Sequence, residues 1–183
     1  MPAQLDPRLE TQGQTSTGRA TIALSGSLPA EEQPMSKPRK PAVEGWFTMN
    51  EAEPCLIGMR GKETGSVFFP PTGAISADPA APFEEREAVE LSRHGRVWSW
   101  TTGNYAPPAP YMTPDPFEPY AVVAVELDEE KMVVLGQLAD GFEASDLFLG
   151  QEMELVLGTL YEDDEHEYLM WKWRPAEEVA ATG

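Results

Sequence analysis

Tyr120 to Leu127 reads YAVVAVEL. Five of its eight residues are β-branched or alanine, and no turn residue interrupts them. Such a run suits a strand covered on both faces. Asp128-Glu129-Glu130 turns the chain, and Met132 to Leu138 (MVVLGQL) returns it, with Gly136 a candidate bulge. Working back, Val97-Trp98-Ser99-Trp100-Thr101 is a strand core whose period of two puts both tryptophans on one face, where they read as core. Working forward, Ala144 to Leu147 predicts a short helix or 3-10 turn with Ser145 as its cap. Met153 to Leu160 alternates again, and Glu167 to Trp173 ends the set, with Trp171 and Trp173 on one face and Met170, Lys172 and Arg174 on the other. Five strands with one short helical element before the fourth predict a five-stranded OB-fold barrel over residues 86–175, followed by a tail, 176–183. A β-sandwich is the alternative, but it needs about seven strands.

The flanks have another texture. Residues 1–41 are rich in Gln, Thr, Ser, Gly and Pro and carry five basic and four acidic residues, a charge of +1. Such a segment buries too little apolar surface to offset its ordering entropy, so it reads as a mobile arm, with Ala20 to Leu24 its one sticky stretch. Residues 42–85 are a zone of turns punctuated by Gly45, Gly58, Gly61, Gly65 and Gly73, with Pro70, Pro71 and Pro79 blocking regular pairing. A turn of helix after Glu44 and short strands at 56–60 and 66–69 are all that fits.

The whole chain has 183 residues, 13 basic and 31 acidic, a net charge of −18. The 142 residues after position 41 hold 8 basic and 27 acidic, a charge of −19. Phosphate backbones and anionic membranes are poor partners for such a surface. The single cysteine excludes a disulfide framework. With no long apolar run and no basic-then-apolar leader, the expectation is a cytoplasmic protein that neither binds nucleic acid nor enters a membrane.

No catalytic constellation emerges. His94 precedes a strand, and His166 ends an acidic run (Glu162 to Glu165) that lacks the ligand spacing and turn glycine of a calcium loop. Cys55 has no neighbouring base and reads as an ordinary thiol. Dinucleotide, Walker, nucleophile-elbow and zinc-protease motifs are absent. The arginines at 93 and 96 with Lys172 would form a phosphate track only if they clustered.

Ala106 to Pro119 contains six prolines, with Tyr105, Tyr111 and Phe117 at or between them. Proline fixes φ, so this is a stiff loop at the barrel mouth. It either offers its aromatics to a partner at little entropic cost or packs down on its own barrel.

Gly45-Trp46-Phe47-Thr48, Leu56 to Arg60, Val67-Phe68-Phe69-Pro70-Pro71, Gly95 to Thr101 and Pro119 to Val123 follow one another in an order and spacing that resembles one family. It is the thiolase-associated zinc-ribbon/OB-fold accessory proteins, an acyl-CoA-associated OB-fold family. The resemblance covers residues 42–175. It implies a rubredoxin-like ribbon ahead of an OB barrel, and a non-catalytic accessory subunit that binds a thiolase-fold enzyme, either a thiolase or a sterol-carrier-type thiolase or aldolase. That subunit would stabilise the enzyme or help shape its acyl-CoA channel. A stand-alone acyl-CoA-binding module is the alternative.

The family's ribbon carries two Cys-x-x-Cys pairs. At the matching positions stand Gly61, Thr64, Ile75 and Asp78, which cannot make a tetrahedral zinc site. The expectation is therefore a mainly β chain with a degenerate, metal-free ribbon at 42–85. No zinc and no tightly bound cofactor is expected, only contact with a coenzyme A thioester held by the partner. Burial of Trp46, Val67, Phe68 and Phe69 against the barrel or a partner would replace the metal. Phe68, Phe69, Pro70, Pro71, Tyr105, Tyr111 and Phe117 are the candidate contacts to a partner or acyl-CoA.

Overall fold

A computed structural model describes residues 37–73, 78–106 and 116–176, all within one unit. The strands are β1 (Arg39–Pro41), β2 (Ile57–Gly61), β3 (Val67–Phe68), β4 (Arg86–Glu90), β5 (His94–Gly103), β6 (Tyr120–Leu127), β7 (Val133–Leu138), β8 (Glu152–Glu162) and β9 (Glu167–Pro175). A 3-10 turn spans Ala144–Asp146.

Strands β9, β7, β6, β5 and β8 pair in that order, and β8 pairs back onto β9, which closes the barrel. The five strands and the intervening 3-10 turn are those expected of an OB-fold. Strand β6 is covered on both faces at its middle, where Val123, Ala124 and Val125 are all buried. Inside the barrel Val97, Val123, Val125, Leu127, Met153, Leu155 and Trp173 form the core.

A second sheet has the order β3-β2-β4 and is antiparallel throughout. Trp46 to Thr48 extends it, through an Ile57 N–H bond to the Trp46 carbonyl (2.8 Å) and a Phe47–Leu56 bridge. Phe47, Leu56 and Leu91 are buried in the same cluster as the barrel core. The join is aromatic. Trp46 stacks on Trp171 of β9 at 6.1 Å, and Phe47 and Phe69 meet the same indole edge-on at 5.7 and 5.6 Å. Trp46, Val67 and Phe69 therefore pack against the shared core cluster as expected, whereas Phe68 does not join it and is only half-buried.

Several local expectations are corrected. Gly45 occupies a plain turn at φ +76°, a conformation glycine adopts without strain, and no helix follows Glu44. Gly136 is not bulged: β6 and β7 stay in register through it. Instead a Cβ there would meet Trp173 at 2.8 Å and Trp171 at 3.0 Å, so glycine admits two indoles from β9. The irregularities fall between Val97 and Ser99 and between Thr159 and Tyr161. The first makes Trp98 the extra residue of a bulge. It breaks the alternation, and Trp98 is 60% exposed rather than core, while Trp100 is half-buried against the core. Ser145 lies inside the 3-10 turn and does not cap it; Glu143 holds the cap position without a side-chain bond.

The expected mobile arm ends before position 41. Residues 39–41 form β1, parallel to β9 at Glu167 to Leu169. Backbone bonds seat it, Ala42 N–H to the Leu169 carbonyl (2.8 Å) and Glu167 N–H to the Pro38 carbonyl (3.1 Å), and ion pairs flank it: Arg39 with Glu51 (2.7 Å) and Glu167 (2.8 Å), and Lys37 with Glu162 (2.9 Å). The rest of the arm, with Ala20 to Leu24, lies outside the described residues, as do Tyr111, Ile75 and most of the tail. Among the described residues no helix is long and apolar enough to cross a membrane.

Candidate functional site

Position in a closed barrel decides which side chains can meet a partner. Along β7, Val134 and Leu138 point into the core, so Val133 and Leu135 point out, and both are exposed, Leu135 by 61%. An outward leucine on a strand is ordinary singly but not beside other apolar groups. Leu135 borders a recess of about 200 Å³, walled by Tyr120, Val122, Leu160, Met170 and Trp171. The Trp171 indole N–H is spent on the Leu135 carbonyl at 2.8 Å. What the recess offers is therefore apolar surface.

The two groups of candidate contact residues both reach the walls of this recess. From the small sheet, Phe69 packs on Trp171; Phe68, Pro70 and Pro71 beside it are half-buried. From the proline-rich loop, Phe117 meets Tyr120 edge-on at 6.3 Å. Tyr105 is 77% exposed, and neither it nor Phe68, Phe69, Pro70, Pro71 or Phe117 lines the recess itself. Sequence reading missed Tyr120, Val122, Leu135, Leu160 and Met170 as site residues. The usable signal was Leu135, an apolar residue on the outward phase of an alternating strand.

Two larger clefts flank β8, the first walled mostly by apolar groups such as Phe142, Val156 and Leu157, the second mostly polar. One, of about 630 Å³, holds Lys172, Asp140 and Arg174; another, of about 400 Å³, holds Arg39, Arg93 and Arg174. Their cations have nearby acids: Lys172 bonds Asp140 (2.8 Å), Arg174 bonds Glu154, and Arg39 bonds Glu51 and Glu167. Arg96 is likewise taken by Glu152 at 2.7 Å. The three cations that could have formed a phosphate track are each drawn to a different carboxylate, Arg93 most loosely, with Glu53 at 3.9 Å.

The titratable groups serve structure. The Asp163 carboxylate accepts the Glu165 and His166 backbone N–H groups at 2.8 and 2.7 Å, which closes the acidic hairpin and holds Asp163 below the ordinary range. Burial pushes the Cys55 thiol up, away from the thiolate a nucleophile needs. His94 lies 3.8 Å from Glu154 at the surface. Among the described residues no three His, Cys, Asp or Glu side chains gather as metal ligands.

Comparison with known proteins agrees with the barrel fold. Residues 88–158 match the family described as ChsH2, C-terminal OB-fold domain. A DUF35 domain-containing scaffold protein of Methanocaldococcus jannaschii is 29% identical over 143 residues, 75% of this chain and 93% of the relative. A solved structure, the Ltp2-ChsH2(DUF35) aldolase, shares the fold with a TM-score of 0.50 and 24% identity, over 74% of this chain and 98% of that one. Together these matches support the resemblance to the thiolase-associated OB-fold accessory proteins.

Proposed function

We propose that this chain is a non-catalytic accessory subunit that docks on a thiolase-fold enzyme and helps stabilise it or wall its acyl-CoA channel. The observation that carries the reading is the apolar recess around Trp171, rimmed by the exposed Leu135, with Phe69 of the small sheet and Phe117 of the proline-rich loop packed on two of its wall residues, Trp171 and Tyr120. Relatives whose names include a scaffold protein and an aldolase support it. The partner would supply the nucleophile and the acid–base groups. This chain would supply packing surface through Phe68, Phe69, Pro70, Pro71, Tyr105, Tyr111 and Phe117, with Leu135 and Tyr120 added.

Charge weighs against a stand-alone acyl-CoA module. The net charge of −18 opposes the phosphates of coenzyme A. If the thioester is touched, its pantetheine or acyl part is the end that fits, with the partner holding the nucleotide. The same charge asks for a basic docking face and an association weakened by salt.

The test is co-expression with the thiolase-fold enzyme encoded nearest to it. A complex that survives size-exclusion chromatography, and that Leu135→Asp disrupts without lowering the melting temperature of the free chain, is expected. Two folded proteins that never co-elute, with acyl-CoA binding to the isolated chain in calorimetry, would replace this reading with the carrier module.

A further inference from the structure

The resemblance implies zinc at positions 61, 64, 75 and 78, and the residues there do not fit it. Gly61 has no side chain. The Thr64 hydroxyl is bonded to Glu84 at 2.9 Å, and the Asp78 carboxylate takes the Ser66 hydroxyl at 2.7 Å and the Ala80 N–H at 2.8 Å. What stands against the turn instead is the side chain of Glu84, which is buried.

Glu84 binds that turn as a ligand would. Its Oε2 accepts the backbone N–H groups of Glu63 (3.1 Å) and Thr64 (3.0 Å), and Oε1 accepts the Thr64 hydroxyl. A Cβ at position 61 would overlap the carboxylate, so the absent side chain of Gly61 is what leaves it room. Around it the turn is closed by Gly65 N–H to the Gly61 carbonyl and Gly61 N–H to the Ser66 carbonyl, both 2.9 Å. Lys62 N–H reaches the Glu85 carbonyl, also at 2.9 Å, which laces the turn to the segment that carries Glu84. A buried carboxylate is costly unless donors surround it; here backbone donors do, and such bonds are about twice as strong as neutral ones.

We propose that Glu84 is the cross-link of the small sheet: its carboxylate, seated in the space left by Gly61, ties the 61–65 turn to the segment before β4, as zinc does in the related ribbons. The small sheet then folds without metal and is indifferent to chelators. Gly61 and Glu84 act as a pair, and neither is replaceable alone.

Hydrogen exchange and metal analysis of the full chain test this. The purified protein should contain no stoichiometric zinc, and EDTA should leave its melting temperature unchanged. Glu84→Ala should speed exchange of the Glu63 and Thr64 amides about tenfold, while Val125 and Leu155 in the barrel stay protected. Gly61→Ala, which expels the carboxylate, should reproduce that pattern, and Glu84→Gln, which keeps one acceptor, should fall between. If Glu84→Ala fails to fold, the other two variants carry the test. Unchanged Glu63 and Thr64 exchange in the folded variants would overturn the proposal, as would one zinc per chain whose removal lowers the melting temperature.

Discussion

In the barrel Val123, Val125, Leu127, Met153, Leu155 and Trp173 are fully buried, whereas the small sheet with its flanks contributes Leu56 and Pro54, plus one buried carboxylate. The strands differ to match: β8 has eleven residues and β5 ten, against five each for β2 and β4 and two for β3. Long alternating strands that close on themselves have no open edge and enclose a core of their own. Strands of two to five residues cannot. The small sheet depends on one loan, the Trp171 indole from β9, and on its own polar cross-link at Glu84. One region is held by burial within itself; the other is held by what it touches.

The largest effect expected from this contrast is at Trp173. It is fully buried, so Trp173→Ala should cost about 3–5 kcal/mol. Because both regions share one core cluster, barrel and small sheet should unfold together in a denaturant melt; separate transitions would break the comparison. Trp46→Ala comes next, at about 1–2 kcal/mol, through the lost stack on Trp171 and the edge contact with Phe69. Here exchange should quicken in β2 and β4 and not in β6. Equal loosening of β6 would mean that the dependence runs both ways.

The smallest expected effect concerns acid. Glu167 accepts from the Thr159 hydroxyl and from Arg39, and these hold it below its ordinary 4.5, the Thr159 bond first. A carboxyl whose folded pKa is depressed adds stability above its unfolded value and loses that contribution as pH falls through the folded one. The melting temperature should therefore drop as pH falls below 4.5, after any gain from discharging a surface of −18. Glu167→Gln should flatten that drop and free β1 to exchange faster. An unaltered acid limb would show that the Arg39 clamp is not what holds β1.

The barrel was legible because its signals are local: β-branched runs, period-two alternation and an acidic turn between two strands. What was misread depends on partners far along the chain. Gly136 looks like any strand glycine until two tryptophans 35 and 37 residues away are seen to lie on it. Trp98 alternates correctly with Trp100 in sequence, and only its register against β6 reveals the bulge. Strand β1 has no apolar pattern to read, since its ion pairs are with residues more than a hundred positions away, Glu51 apart. Glu84, next to Glu85, looks like a solvated pair of acids. The missed clue was that the Gly61 to Gly65 turn presents amides in need of an acceptor.

The Trp46–Trp171 stack, at 6.1 Å and 27° between planes, places two strong indole chromophores close enough for their transitions to mix. The molecule thus carries its own optical gauge: an exciton couplet in circular dichroism that exists only while the two sheets are seated together. Its amplitude would follow that seating in real time and without a label as the chain folds and unfolds.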